Sequence, residues 1–215
     1  MELRRGPANS TIFQVSLLPL FPLQVVLFPG TPLPLHIFEP RYKEMIGECL
    51  KGKQPFGVVL AKEESLAQAG CTAEIVKVVQ RYEDGRLDIF TEGRQRFEIV
   101  NLDRERSFLR GEVLPFDDDG QAASREEVAR AVELQERLLS LAGEHGGLPE
   151  ADHPQLSFQL AAGVPLELDF KQNLLGMRSE KERLAILIRY YEELIPKLQR
   201  ALKVRNRASG NGHPA

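Results

Sequence analysis

No tryptophan, only two cysteines and no uninterrupted apolar run of membrane-spanning length occur in this sequence. Two cysteines, Cys49 and Cys71, cannot make a disulfide framework. A reduced, cytoplasmic setting with two buried thiols is the expectation. Charge of one sign is also lacking: 28 Lys and Arg against 31 Asp and Glu leave a net charge of −3. That balance excludes a broad electrostatic attraction to nucleic acid or to an anionic membrane surface. The opening MELRRGPANSTIF has no compact apolar core or small-residue cleavage site, so no secretory leader is expected.

The signatures of chemistry are missing as well. Lys51-Gly52-Lys53-Gln54 lacks the upstream glycine and the hydroxyl of a phosphate-cradling loop. There is no dinucleotide-binding glycine motif, no nucleophile elbow and no C-x-x-C pair. The four histidines, His36, His145, His153 and His213, are scattered, so neither a metal site nor any cofactor is expected. His145 and His153 share a loop with Glu144, Glu150 and Asp152, which a solvated loop explains. No carboxylate pair stands out as acid and base, and the chain reads as a non-enzyme.

What is present is a run, LLPLFPLQVVLFPGTPLPLHIFEPRY at Leu17–Tyr42, almost free of charge to Phe38 but broken by Pro19, Pro22, Pro29, Pro32 and Pro34. Each proline removes a backbone donor, so the run predicts short strands and turns rather than a membrane helix. Further strand signals follow at Phe56–Ala61, Ala73–Gln80, Arg86–Thr91, Arg96–Val100 and Phe108–Leu114. Asp84-Gly85 between two of them predicts a hairpin. One helix interrupts the strands, opened by Pro40, with Tyr42, Met45, Ile46, Cys49 and Leu50 at helical spacing and Gly52 as its stop.

Beyond Phe116 the pattern changes. Asp117-Asp118-Asp119-Gly120 reads as a flexible boundary. Ser124 with Glu127 forms a capping-box pattern ahead of Val128, Ala131, Val132, Leu138, Leu139 and Ala142, with Gly143 as the stop. Pro154–Ala162 and Pro165–Leu175 predict two short helices, ended by Gly163 and Gly176. Ser179 with Glu182 opens the longest helix, whose stripe is Leu184, Leu187, Ile188, Tyr191, Leu194, Ile195 and Leu198, with a kink expected at Pro196. The fold class is therefore α+β, strands first and helices second. The expected division is a β-rich part over 11–116 with one helix near 40–52, an acidic linker over 117–123, a helical part over 124–205, and loose tails at 1–10 and 208–215.

Four fragments in order carry a family resemblance. These are L-P-L-F-P-L-x-x-V-L-F-P-G at Leu18–Gly30, P-L-H-I-F-E-P-R-Y at Pro34–Tyr42, D-G-R-L-D-I-F-T-E-G-R-Q-R-F at Asp84–Phe97, and L-A-A-G-V-P-L-E-L-D-F-K-Q-N-L-L-G-M at Leu160–Met177. Together they resemble the N-terminal, substrate-binding domain of the Lon ATP-dependent protease family over roughly Ile12 to Leu202. The resemblance implies a PUA-like pseudo-barrel followed by a helical bundle. It also implies a stand-alone bacterial protein, since no ATPase loop or Ser-Lys dyad follows. The implied role is a non-catalytic polypeptide-binding module or adaptor for unfolded or partly folded chains, with a protease or ATPase as a potential partner.

The residues that match the family pattern are His36, Phe38, Glu39, Arg41, Tyr42, Gly93 and Arg96, and Leu35–Tyr42 is expected to line the junction between the two parts. Each has a plainer reading: His36 half-buried against a backbone group, Phe38 and Tyr42 as core, Glu39 with Arg41 as a local ion pair, Gly93 as a turn, Arg96 as a clamp between strands. Nucleic-acid binding is the alternative, on the PUA-like fold and the basic run Lys197, Arg200, Lys203, Arg205 and Arg207. Against it, Met1–Gly120 holds fifteen Lys and Arg and eighteen Asp and Glu. An unrecognised small-molecule site is a further alternative, without a converged set of titratable residues to support it.

Overall fold

The computed structural model describes residues 16–63, 65–120, 122–144 and 147–210. Among them the strands are β1 (Ser16–Leu23), β2 (Pro32–Ile37), β3 (Phe56–Ala61), β4 (Leu66–Arg81), β5 (Leu87–Asp103) and β6 (Arg110–Pro115). The helices are α1 (Pro40–Gly52), α2 (Arg125–Ala142), α3 (Leu156–Ala162), α4 (Leu168–Gly176) and α5 (Glu180–Gly210). The α+β order read from the sequence is the order observed.

The sheet runs β2-β5-β4-β3-β1-β6, and β6 pairs back onto β5. β5, β4, β3, β1 and β6 therefore close into a small barrel. Among the described residues only β1 and β3 pair in parallel, with Leu20 opposite Gly57. β5 is long enough to serve two neighbours: its first part pairs with β2 and its last part with β6. Leu18, Leu20, Val59, Phe97 and Val113 fill the barrel. The space is small enough that a Cβ added at Gly70 would lie 2.5 Å from the Phe97 ring. The stretch Leu66-Ala-Gln-Ala-Gly-Cys-Thr72 that opens β4 carries little strand propensity, and no strand is expected there from the sequence; the barrel interior selects Gly70 for size.

A larger core lies outside the barrel. Helix α1 lays Tyr42, Met45, Ile46 and Cys49 on the strands. The helical half contributes Ala131, Leu134, Leu138, Phe158, Leu184, Leu187, Tyr191 and Ile195 to the same buried cluster. Leu134 was not part of the expected α2 face, and Ala142, which was, is exposed. Phe28, between β1 and β2, stacks on Phe158 of α3 with ring centroids 5.0 Å apart. Burial of each such ring stabilises the fold by about 1.5–3 kcal/mol. One continuous core thus joins the strand and helix parts.

Local signals set the helix ends. Ser124 and Glu127 form the reciprocal capping box on α2, and Gly143 ends it at φ 76°. The Ser179 hydroxyl accepts from the Glu182 N–H at 3.3 Å at the start of α5. Helix α1 includes the glycine expected to stop it: Gly52 is its last residue, and Lys53 caps it at a left-handed φ of 49°, its N–H donating to the Cys49 carbonyl. Helix α5 passes through Pro196 and reaches Gly210, so residues 208–210 of the expected tail are helical. Residues 1–10, His145 and 211–215 lie outside the described residues.

Candidate functional site

Where β4 begins and β5 ends, the two strands part, and an open cleft of about 910 Å³ lies between them at the barrel mouth. Its lining mixes apolar and polar side chains: Leu66, Ile99, Leu102 and Leu109 lean on the barrel core, Val100 projects outward at 55% exposure, and Ser65, Gln68, Asn101 and Ser107 add polar groups. Its charged side chains are Arg41, Lys62, Glu63, Arg104 and Arg106. Every residue lining it comes from the β-rich half.

The expected site residues fall into three places. Arg41 and Tyr42 border the cleft. Tyr42 is buried, its ring 4.0 Å from that of Phe21, and burial pushes its hydroxyl above its ordinary pKa. Arg41 Nη2 pairs with Glu39 at 2.8 Å, the local ion pair read from the sequence.

His36 and Phe38 form part of a second, exposed patch on the outer face of the β2–β5–β4 arm. His36 is not held by a backbone group; its Nδ1 lies 2.5 Å from Asp88 Oδ1 and the side chain is exposed. The cause is register: β2 places His36 directly opposite Asp88. The Tyr82 hydroxyl donates to the other oxygen of Asp88 at 2.7 Å, and the His36 ring lies 6.0 Å from Phe38 and 5.9 Å from Tyr82. Phe38 is not core: 58% of it is exposed. Asp88, half-buried, is held below the usual carboxylate range by its bonds to His36 and Tyr82.

Gly93 and Arg96 lie elsewhere on β5. Gly93 is not in a turn. It sits inside the strand because the chain before β2 crosses it: Gly93 N–H donates to Thr31 at 3.0 Å, and an added Cβ would lie 2.1 Å from the Phe28 carbonyl oxygen. Arg96 clamps the strands to the helices rather than strand to strand. Its Nη1 donates to the carbonyls of Leu175 at 3.1 Å and Met177 at 2.5 Å, and its Nη2 reaches Asp118 at 2.5 Å. Arg183 of α5 grips the same Asp118 at 2.6 Å and Glu180 at 2.6 Å. Both guanidinium groups lie over the Phe158 ring.

The junction between strands and helices is therefore built by Phe28, Arg96, Asp118, Phe158 and Arg183, not by Leu35–Tyr42. Asp118 belongs to the acidic run read as a flexible boundary, and its neighbour Asp119 donates its N–H to the Arg178 carbonyl at 2.7 Å. Burial raises the Asp118 pKa, but the bonds and charge of Arg183 and Arg96 outweigh it and leave the carboxyl below its ordinary value. Asp118 and Arg183 carried no local sequence signal, because their partners lie 65 residues apart.

The two thiols are buried and free. Burial, with Glu48 adding to it, pushes Cys49 up to about 11, and burial pushes Cys71 up to about 12. Neither is a nucleophile at neutral pH. Among the described residues no three His, Cys, Asp or Glu side chains come together as a metal site, and no helix is long and apolar enough to cross a membrane.

Residues 17–192 match the family described as the ATP-dependent protease La (LON) substrate-binding domain. Lon protease 1 of Hydrogenovibrio crunogenus is 26% identical over 200 residues, which is 85% of this chain and 24% of that protein. The Lon protease of Parabacteroides distasonis is 34% identical over 110 residues, 47% of this chain and 13% of that protein. The chain thus spans a quarter or less of the length of these curated relatives. The crystal structure of a Lon N-terminal domain protein from Xanthomonas campestris superposes with a TM-score of 0.68 at 27% identity, covering 82% of this chain and 99% of that one. The N-terminal domain of the Mycobacterium avium complex Lon protease shares the fold, with a TM-score of 0.61 at 18% identity over 82% of this chain and 98% of that one.

Proposed function

We propose a function from one premise: this chain belongs to the family of the ATP-dependent protease La (LON) substrate-binding domain. It is a non-catalytic module that captures unfolded or partly folded polypeptide and presents it to a protease or ATPase partner. The observation that carries this reading is the open cleft at the barrel mouth, with a group of exposed and half-buried aliphatic side chains in its lining. A receptor for many sequences needs accessible apolar surface, and the cleft offers Leu66, Ile99, Val100, Leu102 and Leu109.

The expected binding residues divide within this proposal. Arg41 and Tyr42 shape one wall of the cleft, with Glu39 holding Arg41. Phe38, stacked on His36, is a second apolar contact for a long bound chain. Gly93 and Arg96 act through the fold, one by admitting the crossing chain and the other by fixing the helices.

The experiment is binding of the purified protein to a fluorescent, chemically unfolded model substrate, with its folded form as control and salt varied. Capture of the unfolded form alone, persisting at high salt, is the expected result. Capture that disappears at high salt, or none at micromolar concentration, removes the reading, because apolar contacts are not screened by salt.

A further inference from the structure

Pairing between β4 and β5 runs from Arg81 opposite Leu87 to Ala69 opposite Glu98. β4 extends back to Leu66 and β5 on to Asp103, yet among the described residues these extensions are not paired with each other. The cause lies on the other side of β4. Val59 opposite Gly70 is followed by Ala61 opposite Leu66, so a short advance along β3 is matched by a longer one along β4. Such a bulge bends the strand that carries the extra residues. It takes the start of β4 with β3 and away from β5.

Ile99–Asp103 is therefore held by β6 on one edge only. The other edge faces the cleft, which Ile99, Val100, Asn101 and Leu102 all line. Within this stretch the Leu102 N–H donates to the Asn101 side chain at 3.0 Å, a bond to its own neighbour instead of to a strand. Other free edges of the sheet are guarded. β2 carries Pro32 and Pro34, which cannot donate. The outer part of β4 is broken by register shifts at Val76 and Val79. Ile99–Asp103 contains no proline.

The charges around the cleft narrow the occupant. Arg41 is paired with Glu39, Lys62 with Asp169, and Arg106 with Glu44 and Glu48. Arg104 is exposed and has no such partner among the described residues, and one acidic side chain, Glu63, also lines the cleft. Three of the four rim cations are thus already neutralised within the chain, which disfavours a polyphosphate backbone, and the aromatic rings Tyr42 and Phe108 are buried and offer no stacking face.

We propose that an extended segment of a partner polypeptide, apolar at alternate positions and acidic at one end, adds as a strand to the Ile99–Asp103 edge of β5 with its carboxylate against Arg104. Backbone bonds supply sequence-tolerant affinity, Leu66, Ile99 and Leu102 take alternate side chains, and Arg104 sets the preference for acid. This rests on the polypeptide-binding reading and specifies how that binding is made.

The test uses fluorescence anisotropy with a fluorescein-labelled peptide, Thr-Val-Thr-Val-Glu-Asp, and two versions of it, N-methylated at both valines or at both threonines. Alternate N–H groups point to opposite edges, so one N-methylated peptide should lose about tenfold or more in affinity, the loss of two net hydrogen bonds, while the other binds as the parent does. Arg104→Glu, at an exposed unpaired site, should weaken the parent peptide at least several-fold with an unchanged urea midpoint. Amide exchange of Ile99–Asp103 should slow when the peptide, or an unfolded model substrate, is bound.

Equal binding of all three peptides, or unfolded-substrate binding that leaves exchange at Ile99–Asp103 unchanged, overturns strand addition and leaves polypeptide binding standing. Failure to bind both the peptides and the unfolded substrate overturns both. Displacement of the peptide by a mixed-sequence oligonucleotide assigns the cleft to nucleic acid and also overturns the proposal.

Discussion

Arg96 and Asp118 meet at 2.5 Å where the barrel touches the helices, with the arginine side chain 1% exposed. A buried guanidinium is tolerated only when its donors are satisfied, and Arg96 spends them on a carboxylate and on two carbonyls that end α4. Arg96→Ala leaves Asp118 and the Met177 carbonyl with Arg183 alone and takes the guanidinium donor from the Leu175 carbonyl. The expected cost is about 3–5 kcal/mol in urea unfolding. Arg96→Lys should recover little of it, because an ammonium cannot span the carboxylate and both carbonyls at once. Recovery of most of the stability by lysine would show that charge alone holds the junction.

The same pair predicts an acid limb. The folded Asp118 carboxyl lies below its ordinary value of 3.8. A depressed carboxylate contributes stability that is present above its unfolded pKa and is lost as pH falls through the folded one. Stability should therefore drop as pH is lowered below about 4. Asp118→Asn should be less stable at pH 7 and fall less steeply in acid, so that the gap between the two curves narrows as pH is lowered below about 4. Parallel curves would place the acid limb on other carboxylates.

Gly93 should be intolerant where Gly47 is not. A methyl at Gly93 meets a backbone oxygen at 2.1 Å, whereas nothing lies within 4 Å of one at Gly47 in α1. Backbone cannot swing aside as a side chain can, so Gly93→Ala should cost about 1–3 kcal/mol or more. Gly47→Ala removes an exposed helix-interior glycine and should stabilise by about 0.5–1 kcal/mol. Thermal denaturation of the two variants checks both signs.

The local features were legible in the sequence because their causes are local. The capping box at Ser124 and Glu127, the hairpin at Asp84-Gly85 and the proline that opens α1 each involve residues within a few positions. The long β5 read as two runs because Gly93 lies between them, and only the carbonyl of Phe28, far away in the chain, explains that glycine. The start of β4 was invisible since Gly70 is fitted to the Phe97 ring and not to a strand pattern. Asp118 read as solvated linker for the same reason: the arginines that bury it come from β5 and α5. The cleft arises from a register slip, which alternation of residue type does not encode.

Phe38 and Tyr42 are near neighbours in sequence with opposite roles. Phe38 is exposed, so Phe38→Ser should change stability by no more than about 0.5 kcal/mol while weakening capture of unfolded substrate. Tyr42 is buried against Phe21, so Tyr42→Ala should cost about 3–5 kcal/mol. Loss of stability without loss of binding in Phe38→Ser would remove this patch from the binding surface.

The thiols give a readout of the fold. A free thiol has a pKa of about 8.5, so at pH 8 a sizeable fraction is thiolate. Cys49 at about 11 and Cys71 at about 12 are almost wholly protonated there, and both are buried. Maleimide labelling of the native protein should be at least about a hundredfold slower than in urea, where both cysteines react. A raised folded pKa also has a sign for stability. The neutral thiol is favoured in the fold, so its contribution is complete below the unfolded pKa and is lost as pH rises toward the folded one. Stability should decline from about pH 8.5 upward, and Cys71→Ala should flatten that decline. Rapid labelling of either cysteine in the native state would show that its site opens without global unfolding.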